Sequence, residues 1–274
     1  MTYRDDARAA LDRARTELAS QDKERLRYAA LELRFAVEAL TYDRAALYKD
    51  DFPPSEYETW QPRLLMSQLL EIDPSADQDC TIAIGGEERS GVRAAEMDVL
   101  GTEKVFNMQM LKQHYDALGS YLHVPTLKQV KSGNHVDQEK LRARCETVAA
   151  SVTNVLSSEI FNADLKIYSE LDCVYCGTKI RKRLPRERPE IPATCFGCKN
   201  TYTLRDRGNG EVSWEPDQTE LRCANQSCRG GPIFLPDKEV RPGKRWICKS
   251  CRGTNMISLA VAFHPAAESV SDTV

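Results

Sequence analysis

Eight of the ten cysteines fall into two sets of four in the last third of the chain. The first set is Cys173-x2-Cys176 followed, eighteen residues on, by Cys195-x2-Cys198. The second is Cys223-x4-Cys228 followed, nineteen residues on, by Cys248-x2-Cys251. Each supplies what a tetrahedral Zn²⁺ site needs, four thiolates from two short turns, with a hairpin expected in the spacer between them. Two Zn²⁺ per chain are therefore expected. A four-cysteine site is coordinatively closed and leaves no position for an activated water, so these metals build a recognition module rather than a catalytic centre.

Disulfides, a rubredoxin-like iron site and an interleaved pairing of the first knuckle with the third are the alternatives. Met1 to Ala10 is charged from Arg4 onward and lacks the apolar core of a secretory signal. No stretch approaches the roughly 18 apolar residues of a membrane span. Both point to a cytoplasmic chain with no membrane partner, where paired Cys-x2-Cys turns hold metal rather than disulfides.

A chain of 274 residues has room for about two domains. Its net charge of −3 hides an asymmetry: Cys173 to His264 carries 17 Lys+Arg against 9 Asp+Glu, a formal +8, which leaves −11 for the remainder. Eight thiolates and two Zn²⁺ bring the ribbon region near +4, basic without forcing a nucleic-acid partner.

Upstream of the cysteines the pattern is helical. Leu26, Ala30, Leu33, Val37, Leu40 and Leu47 recur in steps of four and three with one step skipped at Arg44, predicting a helix to about Tyr48 with Asp22 as its cap. Helices are also predicted for Tyr3–Leu18, Tyr57–Leu70, Thr102–Leu122 (interrupted at Gly119) and Asp137–Phe161, the last with a stripe of Leu141, Cys145, Val148, Val152 and Val155. Thr81 to Ile84 reads as a short strand before Gly85-Gly86, and Cys80 beside it as packed. The seams through Leu33, Val37 and Leu40 and through Val148, Val152 and Val155 could close one bundle or pair two chains as a homodimer. Strands are expected at Leu165–Leu171, Thr178–Leu184, Thr201–Arg205, Glu211–Trp214, Lys244–Ile247 and Met256–Phe263. The fold class is thus α+β: an N-terminal α-helical bundle over residues 1–163, then two small β zinc ribbons over 164–214 and 215–264. A tail over 265–274 is expected to be disordered.

The densest positive run is Arg181, Lys182, Arg183, Arg186 and Arg188, in the first spacer, where a hairpin tip would project. A phosphate backbone suits it, and Tyr175, Phe196, Tyr202, Trp214 and Trp246 could stack on bases. Such aromatics equally cover a metal and fill a small core, and a protein partner is the other expectation.

Leu31-Glu32-Leu33-Arg34-Phe35-Ala36-Val37-Glu38-Ala39-Leu40 and Tyr115-Asp116-Ala117-Leu118-Gly119-Ser120-Tyr121-Leu122-His123 resemble the first and closing helices of HEPN-type four-helix domains, over residues 20–125. The resemblance implies a helical domain of toxin and defence proteins. Active HEPN ribonucleases carry Arg, four to six residues, then His. That spacing is absent before both His123 and His114, so the resemblance implies a non-catalytic member. No P-loop, dinucleotide fingerprint or Ser/His/Asp order is present. The chain reads as a zinc-binding adaptor or recognition protein. A metal-independent ribonuclease with RNA-choosing ribbons, and purely structural ribbons, are the alternatives.

Overall fold

The computed structural model describes residues 2–20, 22–51, 61–86, 94–124, 127, 131, 137–162, 168–185, 188–208 and 210–260. Helix α1 (Tyr3–Ala19) starts at a capping box in which Thr2 and Asp5 satisfy each other's backbone amides. Asp22 caps a single 3₁₀ turn, Lys23–Arg25, that leads into α2 (Leu26–Ala46). Helix α3 (Pro62–Ile72) opens on a proline whose missing N–H is no loss in a first turn. The caps of α4 (Met108–Leu122) and α5 (Gln138–Leu156) are Asn107 and Asp137.

Helix α2 is the axis of the bundle, with α1, α3, α4 and α5 packed around it. Ala29, Ala30, Leu33, Ala36 and Val37 are fully buried, and the alanines let neighbouring backbones approach closely. Leu141, Cys145, Val148 and Val152 of α5 are buried in the same cluster. Both seams therefore close within one chain. Cys145 is a core residue, its thiol pushed up to about 12 by burial.

Three sequence expectations are corrected here. Residues from Thr102 do not begin a helix. Asp98–Glu103 is a strand, β2, paired antiparallel with β1 (Cys80–Ile84), and α4 starts only at Met108. The cause is Glu103, which is 3% exposed. It accepts from Arg44 Nη1 at 3.1 Å and from the Asn162 amide at 2.6 Å, pinning the strand to α2 and to the segment after α5. Gly119 does not interrupt α4, which runs on to Leu122 with the Arg34 guanidinium lying where a Cβ would be. Cys80 is exposed rather than packed; at that end of the hairpin the buried residues, Gly101 and Glu103, belong to the partner strand. Of the predicted third helix, residues 57–60 lie outside the described residues, as does the 265–274 tail. No helix among the described residues is long and apolar enough to cross a membrane.

Leu33→Ala, at the centre of the core, should cost about 2–5 kcal/mol in urea unfolding. Phe35→Ala, on the outer face of the same helix at 45% exposure, should stay within about 0.5 kcal/mol of the parent. Equal losses at the two positions would contradict the placement of α2.

Candidate metal centres

Each pair of cysteines sits in the turn of its own hairpin. Strands β3 (Ser169–Asp172) and β4 (Lys179–Lys182) flank Cys173 and Cys176; β5 (Glu190–Thr194) and β6 (Thr201–Gly208) flank Cys195 and Cys198. Strands β8 (Gln218–Leu221) and β9 (Ile233–Pro236) flank Cys223 and Cys228; β10 (Arg245–Ile247) and β11 (Thr254–Met256) flank Cys248 and Cys251. Strand β7 (Glu211–Pro216) adds a third strand beside β6. The spacers expected to hold hairpins instead join one hairpin to the next. The strand expected from Met256 onward ends at that residue.

Three of the four turns are the same six-residue device. The first cysteine's N–H donates to a carbonyl five residues on, from Cys173 to Thr178, Cys195 to Asn200 and Cys248 to Gly253, each at 2.9 Å. The residue after the second cysteine donates back to the first: Gly177 and Lys199 at 2.8 Å, Arg252 at 2.9 Å. That residue is left-handed in all three, with φ of +74° at Gly177, +58° at Lys199 and +60° at Arg252. Only the first turn uses glycine there; the other two accept about 1 kcal/mol of backbone strain. The Cys223 turn carries two extra residues and closes through Asn225, whose carbonyl accepts the Cys228 N–H at 2.9 Å.

The hairpins meet in sequential pairs. Cys173 Sγ lies 3.6 Å from Cys198 Sγ and Cys176 Sγ 3.5 Å from Cys195 Sγ. In the second ribbon Cys223–Cys251 and Cys228–Cys248 are each 3.6 Å apart. Within each tetrad all four sulfurs lie within 4.8 Å of one another. A tetrahedron with ~2.3 Å arms has edges of about 3.8 Å, so both cages can hold a four-coordinate metal ion. A disulfide needs sulfurs about 2.05 Å apart, and all eight cysteines are free thiols.

The protein prepares these sulfurs unevenly. The Thr178 hydroxyl and amide hold the Cys176 thiol down to about 6. The Cys251 and Ser250 amides do the same for Cys248, also to about 6. Burial pushes Cys195 up to about 12. Four thiolates in so small a space need a cation to neutralise them, which ties metal occupancy to deprotonation.

The position four residues after the second cysteine points inward in each six-residue turn: Ile180, Tyr202 and Asn255 are 2%, 0% and 5% exposed. That fixed offset makes the inward position readable from the cysteine spacing itself. Tyr202 accepts the Val174 N–H at 3.1 Å, which leaves its own proton for Cys173 Sγ at 3.0 Å. With Ile180, Ala193, Leu171, Tyr175 and Trp214 it forms a small core. The equivalent Asn255 instead accepts the Ala224 N–H at 2.8 Å, tying the fourth hairpin to the third turn. The described residues of the second ribbon contain no cluster of buried apolar side chains.

The first three cations of the basic run, Arg181, Lys182 and Arg183, do not project. Arg181 pairs with Asp51 at 2.5 Å and Glu170 at 2.7 Å. Lys182 is buried, its Nζ 3.4 Å from the Leu70 carbonyl and 3.8 Å from Glu71. Arg183 donates to Asp73 at 3.0 Å through its side chain and to the Ile72 carbonyl at 2.8 Å through its backbone. Asp73, 1% exposed, also accepts from the Tyr48 hydroxyl and the Ser75 amide. The last carbonyls of α3, which a helix cannot satisfy itself, are thus met by cations of β4 and the residue after it. A phosphate would have to displace these pairs. Arg186 lies outside the described residues; Arg188 is exposed.

Of the aromatics, Tyr175, Tyr202 and Trp214 belong to the first ribbon's core, Phe196 packs against the helical core, and Trp246 lines a surface cleft. His114 is buried beside Ser151, its imidazole held below the usual histidine range by burial, and His123 is the exposed C-cap of α4. No family model, curated protein or solved structure matches the chain, and none supports the HEPN resemblance.

Chelation should therefore act in order. Hydrogen exchange should show amides of residues 218–256 losing protection first, those of the first ribbon later, and those of α2 not at all. Simultaneous loss in both ribbons would contradict the difference in core. Arg183→Ala leaves Asp73 buried with two of its three donors and should cost about 1.5–3 kcal/mol of first-ribbon stability, read by denaturant unfolding. A neutral result would remove the joint from the account.

Proposed function

We propose that the protein is a zinc-held recognition protein that binds single-stranded nucleic acid through its second ribbon. Four thiolates without a nitrogen or oxygen ligand suit zinc, and iron is the rival for the same cage. The first ribbon serves as the joint that fixes this surface to the helical bundle.

The observation that carries the reading is the charge and shape of one face. Segment 240–256 has five cations and no carboxylate. Arg229, Arg241, Arg245, Lys249 and Arg252 are exposed and pair with no carboxylate among the described residues. Lys249 lines a cleft of about 610 Å³ together with Phe234, Trp246, Ile233 and Ile247, and Arg229 and Arg245 are chain neighbours of lining residues. Phe234 is 52% exposed and Ile247 64%. Unpaired cations suit a phosphate backbone, and an open aromatic surface suits unstacked bases rather than a duplex.

Anisotropy with a labelled oligothymidylate should show affinity falling with salt, at a slope of ~0.7 per phosphate contact. Replacing Arg245, Lys249 and Arg252 together should flatten that slope by about two. Phe234→Ala should cost about 1–3 kcal/mol at unchanged slope. No binding, or binding indifferent to salt and to these variants, would leave a protein partner as the better reading.

A further inference from the structure

The helical bundle carries a second recessed surface, independent of the ribbon face. Between α2, α3 and α4 lies a cleft of about 810 Å³. That is the size of small-molecule sites, roughly 300–1,000 Å³. Lys112, Tyr115, Asp116, Gly119 and His123 follow one another along a single face of α4 and line its floor. Arg34 reaches in from α2, and Arg63 and Leu64 from the first turn of α3.

Arg34 is held in place before any ligand arrives. Its guanidinium lies 3.9 Å over the Tyr115 ring on one side and against Gly119 on the other, in the space a Cβ would take. The neighbouring carboxylate, Glu38, is engaged by the Tyr115 hydroxyl at 2.6 Å. Arg34 is half-buried and pairs with no carboxylate among the described residues. Arg63 is balanced by Asp116 at 2.5 Å. Lys112 has no such partner among the described residues. Two cations are therefore left uncompensated, above a wall of Pro62, Leu64 and Met108. The hydroxyls of Ser67 and Ser120 donate to the Leu64 and Ala117 carbonyls, so they offer lone pairs to a ligand's donors.

A carboxylate would neutralise one of the two cations; a phosphate monoester, near −2 at neutral pH, matches both. The planar fork of Arg34 and the point charge of Lys112 are the usual pair for such a group. From this geometry we infer that the cleft binds a phosphate monoester of mononucleotide size, with its organic part against Leu64 and Met108.

The full metal-loaded chain should be titrated calorimetrically at low salt with AMP, adenosine and the 5′-phosphorylated dinucleotide pApA. AMP or pApA should bind and adenosine should not. Tighter AMP assigns a free nucleotide, and tighter pApA assigns the end of a strand. Lys112→Ala should weaken binding about tenfold or more. Gly119→Ala introduces a better helix former but displaces Arg34, and should also weaken binding. Lys249→Ala, in the second ribbon, should change nothing. Absence of binding, adenosine binding as well as AMP, a loss confined to Lys249→Ala, or binding unchanged in both cleft variants would overturn the inference.

Discussion

Eight sulfurs converge in two cages in the C-terminal part, each able to hold a metal ion, and a cation there would offset their mutual repulsion. Thiolates 3.5–3.6 Å apart repel one another, and half-buried thiols resist ionising. A bound dication reverses both terms, so metal affinity becomes folding free energy. The dependence is uneven. The first ribbon adds Tyr202, Ile180 and Trp214 as a small core and rests on α3. Among the described residues the second has Asn255 across its centre and no cluster of buried apolar side chains. It is the more exposed and the more dependent on its metal.

The joint between bundle and ribbon follows from the end of a helix. Helix α3 leaves carbonyls at Leu70 and Ile72 and a buried Asp73, and the strand after the first knuckle supplies Lys182 and Arg183 to meet them. Charge that looks free in one dimension is thereby spent inside the molecule. The uncompensated charge lies elsewhere, around the aromatic cleft of the second ribbon and in the cleft over α4. The two differ in build. The first is an open basic surface on a module built round a four-cysteine cage; the second is a recess in the helical bundle with one arginine locked by packing.

Much of this was legible in one dimension and some was not. Cysteine spacing is local, because six residues close each turn, so the tetrads and their ligands could be named. Long apolar stripes revealed α2 and α5 for the same reason. Strands β5, β8 and β9 alternate in burial, but each has only four or five residues, too few for the alternation to stand out in the sequence. Strand β2 was taken for helix because Glu103 is placed by Arg44, 59 residues away. Arg183 meets Asp73 across 110 residues and Arg181 meets Asp51 across 130, partners that no window of sequence displays. The cleft of Arg34, Arg63 and Lys112 was missed likewise, since three helices contribute to it.

X-ray absorption at the zinc edge tests the central claim most directly. On purified, metal-analysed protein, the account predicts two zinc ions per chain, each with four sulfur neighbours at about 2.3 Å and no lighter ligand. Nitrogen or oxygen in the shell, a single zinc per chain, or a folded C-terminal part that contains no metal would contradict it.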